Sequence, residues 1–123
     1  MAAHSPPSVR IEYDMAGPEV VEVRVHGEVG MASVPALNAL VSQLFNEGHT
    51  KIVFNLSDSN YLASSAIGTF LGAAETARGK GGDVVLAGIR DKVRHVLDLM
   101  GVPRIVRIAA DTKEAVGILG GRA

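Results

Sequence analysis

Val21, Val23 and Val25 alternate with Glu22, Arg24 and His26, and an apolar residue at every second position gives a strand one buried face and one wetter face. A shorter strand is expected from Ser8 to Tyr13, joined to the first through the turn-forming Ala16-Gly17-Pro18, so that the pair makes an antiparallel hairpin. The period then changes. Leu37, Leu40, Val41, Leu44 and Phe45 recur at helical spacing, with Ser33 placed to accept a free amide, Pro35 in the first turn and Gly48 as the stop. This predicts a helix from about Ser33 to Glu47.

Lys51 to Leu56 is nearly continuously apolar, the mark of a strand covered on both faces. Past the polar Ser57-Asp58-Ser59-Asn60, helical spacing returns in Ile67, Phe70, Leu71 and Ala74, predicting a second helix from near Ser64 to Gly79. A strand over Asp83 to Gly88 follows, then a helix marked by Val93, Val96, Leu97 and Met100 and ended by Gly101 and Pro103. Arg104 to Ala109 reads as the last strand, and Asp111-Thr112-Lys113-Glu114 has the form of a capping box before Val116 and Leu119. The order is β-β-α-β-α-β-α-β-α. It predicts a single α/β domain over residues 8–120 with a mixed, mainly parallel sheet and an antiparallel edge strand, because parallel neighbours need helix-length crossovers and a hairpin needs only a tight turn. Residues 1–7 are expected to form a mobile tail. Leu40, Leu44, Ile52, Phe54, Ile67, Leu71, Val85, Val96 and Leu97 are the expected core.

Composition narrows the function classes. A chain of 123 residues, 47% apolar and 20% charged, suits one soluble globular domain. Its 12 basic and 13 acidic residues leave a net charge of −1, which supplies no field to draw in nucleic acid or an anionic membrane. Aromatics are 4% with no Trp, too few to spare for stacking on bases. No apolar run approaches the ~20 residues that cross a bilayer, and the opening MAAHSPPS lacks the basic and apolar regions of a signal peptide. A cytoplasmic protein without membrane insertion is therefore expected. There is no cysteine, and His4, His26, His49 and His95 show no ligand spacing, so neither a metal nor another cofactor is expected.

Candidate chemistry is sparse. Arg78-Gly79-Lys80-Gly81-Gly82 lacks the Walker loop's earlier Gly and its Ser or Thr, and follows a helix instead of a strand, which makes it a surface turn. Ser64 and Ser65 sit where a loop enters a helix, but Leu62-Ala63-Ser64-Ser65-Ala66 is not a nucleophile elbow, and no histidine stands out as a base. A plain N-cap is one role for Ser64. Arg90, Lys92, Arg94 and His95 make a basic helix face diluted by Asp91 and Asp98, and Met31 is either an exposed partner contact or a lid on the core. Each of the loops Glu28 to Met31 and Leu62 to Ile67 follows a strand entering a crossover, which places both at one end of the sheet.

The stretch from Val25 to Ile67 resembles the STAS domain, shared by sulphate transporters and anti-sigma-factor antagonists. The likeness lies in Val25-His26-Gly27-Glu28-Val29, in the apolar first helix, in Ile52-Val53-Phe54-Asn55-Leu56-Ser57, and above all in Tyr61-Leu62-Ala63-Ser64-Ser65-Ala66-Ile67-Gly68. That last run is similar to the family's aromatic-apolar-Asp-Ser-Ser-Gly-Leu-Gly signature. The resemblance implies a non-enzymatic module that binds an anti-sigma factor serine kinase and is phosphorylated by it at Ser64, or alternatively Ser65, with a serine phosphatase to reset it. The implied partner surface comprises Glu28, Gly30, Met31, Leu62, Ala63, Ser64, Ser65, Ala66 and Ile67. A STAS subunit of a lipid-transport ATPase or of a stress-signalling assembly, without the phosphoserine switch, is the alternative. The sequence departs from the pattern at Ala63, Gly30 and Asn55, each in place of an Asp at or near the expected switch face, and at Ala66 in place of a Gly.

Overall fold

The computed structural model describes residues 9–120. The expected tail over residues 1–7 and the expected strand start at Ser8 lie outside the described residues. Five strands, β1 (Arg10–Met15), β2 (Val21–His26), β3 (Lys51–Asp58), β4 (Asp83–Ala87) and β5 (Arg107–Ala109), form one sheet in sequence order. β1 is antiparallel to β2, and every other neighbouring pair is parallel. The helices are α1 (Val34–Asn46), α2 (Ser64–Gly79), α3 (Asp91–Leu99) and α4 (Thr112–Ile118). A sheet that grows in one direction through crossovers of one hand carries all three crossover helices on the same face, and α4, which follows the last strand, covers the other.

Two cores result. Val21, Val23, Val25, Ile52, Phe54, Leu56, Val84 and Leu86 meet Leu37, Val41 and Leu44 of α1, Ile67, Phe70 and Ala74 of α2, and Val93 and Leu97 of α3. At its centre the Phe54 and Phe70 rings lie 4.8 Å apart and tilted by 47°, a favourable aromatic geometry. On the opposite face Val53, Val85, Ala87 and Ala109 pack against Ala115 and Leu119. β3 is thus covered on both sides, as its continuous apolar run predicts.

Several expectations change in detail. Leu40 and Leu71 are half-buried, and Val96 is 41% exposed, because α3 sets Val93 and Leu97, one turn apart, against the core and leaves Val96 off that seam. Met31–Ser33 winds as a 3-10 turn, so Ser33 already has helical angles (φ −89°, ψ −12°) and caps nothing with its side chain. The last strand is shorter than expected because a second 3-10 turn, Val102–Arg104, with Pro103 in it, delays the strand to Arg107. The cap forms with one shift from the expected box: Asp111 accepts from the Glu114 amide at 2.8 Å, and Glu114 reaches back past Asp111 to accept from the Ala110 amide at 2.6 Å. Within the glycine cluster that ends α2, Gly82 has a steric cause, since a Cβ there would stand 1.8 Å from the Thr50 carbonyl oxygen, and Gly81 a conformational one, its φ of +86°.

α4 is also held by polar contacts. The Glu22 carboxylate, on the β2 face opposite the larger core, accepts from Thr112 Oγ1 at 2.7 Å, Asn55 Nδ2 at 2.9 Å and Arg24 at 2.7 Å. Burial pushes the Glu22 carboxyl pKa up, but these donors and the Arg24 charge outweigh it and hold it below the ordinary 4.5.

Truncating Phe54 to Ala should cost about 3–5 kcal/mol, and Leu71 to Ala under about 2 kcal/mol, in urea denaturation; equal costs would contradict the burial described. Because the folded-state pKa of Glu22 is depressed, its stabilisation is complete above pH 4.5 and is lost as pH falls through the folded value. Glu22→Gln should therefore narrow the stability gap between pH 7 and pH 3, measured by denaturant midpoints.

Candidate functional site

The loops after β2 and β3 are zipped together beyond the sheet. Val29 and Leu62 form an isolated parallel bridge, with the Val29 amide donating to Tyr61 O at 2.9 Å and the Ala63 amide to Val29 O at 2.8 Å. This joins the Glu28 to Met31 loop to the start of α2. Buried Val29 anchors the first segment, Glu28 and Met31 are exposed, and Met31, at 75% exposure, is no lid on the core. Gly30 adopts ordinary angles (φ −87°), and a Cβ there would meet nothing within 4 Å, so the backbone does not require glycine at this position. In the second segment Leu62, Ala63, Ala66 and Ile67 are buried while Ser64 and Ser65 are exposed. The buried four form the floor of the expected surface, and Glu28, Gly30, Met31, Ser64 and Ser65 are the groups it offers.

Ser64 is the first residue of α2, and the N-cap position belongs to Ala63, in extended geometry (φ −68°, ψ 154°) with no side-chain cap. The N-cap role for Ser64 is thereby replaced: its hydroxyl stands one position too far into the helix. The two serines face different ways. Ser64 lines an apolar groove of about 350 Å³ between α2 and α3, with Tyr61, Leu62, Ile67, Lys92, Val93 and Val96. Ser65 lines a groove of about 500 Å³ between α1 and α2, beside Asn38, Ser42, Gly68 and Gly72. Sequence reasoning missed Tyr61 and Val96 as surface groups; the signal was that Val96 lies off the four-residue spacing from Val93 to Leu97.

The charges are distributed unevenly. On α3, Arg94 pairs with Asp98 at 3.0 Å and Lys92 stands on the rim of the Ser64 groove, while Arg90, at the N-cap position before the helix, donates to Ser57 O at 2.7 Å. His26 alternates with core-facing Val25, which puts its ring on the sheet face away from α2, and both ring nitrogens contact carboxylates. It is not placed as a base for Ser64. Asn55, expected at or near the switch face, instead donates to Glu22 on the α4 side of the sheet. An aspartate there would set two carboxylates against each other. Among the described residues no cluster of three or more His, Asp or Glu side chains is gathered to hold a metal, and no helix is long and apolar enough to cross a membrane.

Comparison with known proteins agrees with this architecture. The profile of the STAS domain matches residues 15–115. An anti-sigma-B factor antagonist of Staphylococcus aureus is 23% identical over 92 residues, covering 75% of this chain and 85% of that protein. Two solved structures share the fold. An anti-sigma factor antagonist from Mycobacterium paratuberculosis superposes with a TM-score of 0.84 at 19% identity, covering 96% of this chain and 99% of that one. The Bacillus cell fate determinant SpoIIAA in its phosphorylated form superposes with a TM-score of 0.70 at 22% identity, covering 89% of this chain and 99% of that one.

Because Ala63 has cap geometry without a capping group, Ala63→Asp should stabilise the folded chain by about 0.5–2 kcal/mol, measured by thermal or urea denaturation. An unchanged or lowered midpoint would show that the first amides of α2 do not accept that carboxylate.

Proposed function

The chain belongs to the STAS domain family, and from that premise we propose that it is an anti-sigma factor antagonist, a non-enzymatic cytoplasmic module that binds a serine kinase acting as anti-sigma factor and is switched by phosphorylation at Ser64. The observation that carries the proposal is the exposed Ser64 hydroxyl at the first position of an uncapped helix, beside a loop bridged to that helix through Val29. The relatives named as antagonists support the regulatory role.

The chemistry suits a switch that leaves the fold intact. Transfer of the ATP γ-phosphoryl group to Ser64 Oγ releases ADP and the hydroxyl proton, and places about −1.5 to −2 charges at the start of a helix. Free amides and the positive end of the helix dipole tolerate that charge, which is worth about 0.3–1 kcal/mol in the domain's favour. The same charge pressed against an apolar partner must be stripped of water without compensation, at greater cost. Binding therefore responds more than stability does. In this scheme unphosphorylated protein occupies the kinase and frees its sigma factor, phosphorylated protein lets go, and a serine phosphatase restores the first state. Glu28, Gly30 and Met31 contribute the second half of the docking surface over the floor of Leu62, Ala63, Ala66 and Ile67, with Ser65 the alternative acceptor.

The test combines the chain with ATP and the anti-sigma kinase of the same cell, mapping phosphate by mass spectrometry and measuring affinity by calorimetry. Ser64→Ala should bind and take up no phosphate. Ser64→Asp should melt within a few degrees of wild type and bind more weakly by about tenfold or more, ~1.4 kcal/mol. Gly30→Arg and Met31→Asp should fold normally and lose affinity. Phosphate on Ser65 would move the switch to that residue; if neither serine is modified and Ser64→Asp binds like wild type, the STAS-subunit alternative without a phosphoserine switch takes its place.

A further inference from the structure

His26 closes β2 between two carboxylates on neighbouring strands. Its Nδ1 lies 2.6 Å from Asp58 Oδ2 at the end of β3, and its Nε2 lies 3.0 Å from Glu12 Oε1 on β1. A neutral imidazole has one N–H to give, so both contacts are hydrogen bonds only when the ring carries both protons. In that form it fastens three strands at once. In the neutral form one carboxylate faces a ring lone pair.

The fastening falls where the two halves of the docking surface leave the sheet. The β2–β3 register shifts between Arg24 and His26, so that His26 is opposite Asp58. There the Gly27 amide donates to Asp58 O at 3.1 Å, and fully buried Ser59 donates its hydroxyl to Val25 O at 3.1 Å. Two residues past His26 the chain enters the Glu28 to Met31 loop, and from Asp58 it runs through Tyr61 to Ser64. The next link between these segments is the Val29–Leu62 bridge. Side-chain and backbone ties thus lie in series along one seam.

We propose that His26 is a positioning residue whose proton sets how firmly the two halves of the docking surface are held together, so that the kinase is bound more tightly when the ring is charged. This rests on the surface assigned under Proposed function. The charged groups facing the ring are Glu12 and Arg10 from β1, Arg24 from β2 and Asp58 from β3. Arg10 and Arg24 also approach Glu12, at 3.6 and 3.7 Å, so that carboxylate has other cations to turn to. Asp58 is reached by the ring at 2.6 Å, which makes the Asp58 side of the clasp the more dependent on the imidazolium. The hydrogen bond from His26 is the largest influence on Glu12; burial, the next largest, pushes the other way, and with the charges of Arg10, His26 and Arg24 the carboxyl is held below the ordinary range.

The experiment follows backbone amides of the free protein by NMR from pH 5 to pH 8.5, then measures kinase affinity at both ends of that range. The Val29 and Ala63 amides should move with a midpoint shared with the His26 ring, and both movements should vanish in His26→Gln, which leaves His4, His49 and His95 in place. Affinity should fall by about fivefold or more from the acid to the alkaline end in wild type relative to His26→Gln. If His26→Gln loses its dispersed spectrum, the Glu12→Gln, Asp58→Asn double variant replaces it, since it leaves the ring with no anionic partner, and it should likewise uncouple the two amides. Amides that ignore the ring, or follow pH unchanged in the variant, overturn the proposal, as does an affinity ratio equal in wild type and variant. Failure of the surface assignment is separable: Gly30→Arg and Met31→Asp would then bind the kinase normally while the amide titration persisted.

Discussion

The rest of the structure depends on the burial of β3 on both faces. Ile52, Phe54 and Leu56 point into the larger core, and Val53 points into the smaller one, so the strand has no wet side on which to slip. A one-residue shift would exchange those two sets and set Asn55, whose amide is committed to Glu22, against the core. With β3 fixed, β2 and β4 pair in parallel on either side of it, the crossover helices close over Phe54, and the segment after Asp58 has one direction in which to leave. The position of Ser64 is a consequence of packing some distance away from it.

How much of this the amino-acid order disclosed depended on the range of the interaction. The valine alternation in β2, the continuous run in β3 and the apolar spacing of α1 are local patterns set by strand pleat and helix pitch, and they predict the element order that the structure has. The Asp111 to Glu114 cap is equally local. Ser33 misled because a serine before a proline at a helix start looks like a cap, whereas the 3-10 turn at Met31 had already begun to coil the chain. Val96 misled because spacing alone does not show where the edge of a helical stripe lies. Asn55 and His26 depended on pairings across strands, including a register shift that no periodicity announces.

The candidate site shows the same division. A likeness in the Tyr61 to Gly68 run was enough to indicate Ser64 and its neighbours, but not that four of the named residues would be floor and five surface. Nor did it show that adjacent serines open onto different grooves. A phosphate on one would meet Lys92 and the apolar wall of α3; on the other it would lie over the small residues of α2. Fold membership alone does not choose between these outcomes, which is why the geometry around each hydroxyl carries more of the functional argument than the fold does.

The strands also stand across the sheet in the order in which they are synthesised. A chain emerging from the ribosome can add each helix and strand to the free margin of what has already formed, with no strand to be inserted between two earlier ones. The larger core matures progressively along that route. The smaller one has to wait, because Ala115, Leu119 and the Thr112 hydroxyl that reaches Glu22, 90 residues earlier, are made only after all five strands. Until then Val53 and Val85 lie open to water on the nascent sheet, and the last short helix acts as the seal that ends their exposure to chaperones and to other unfinished chains.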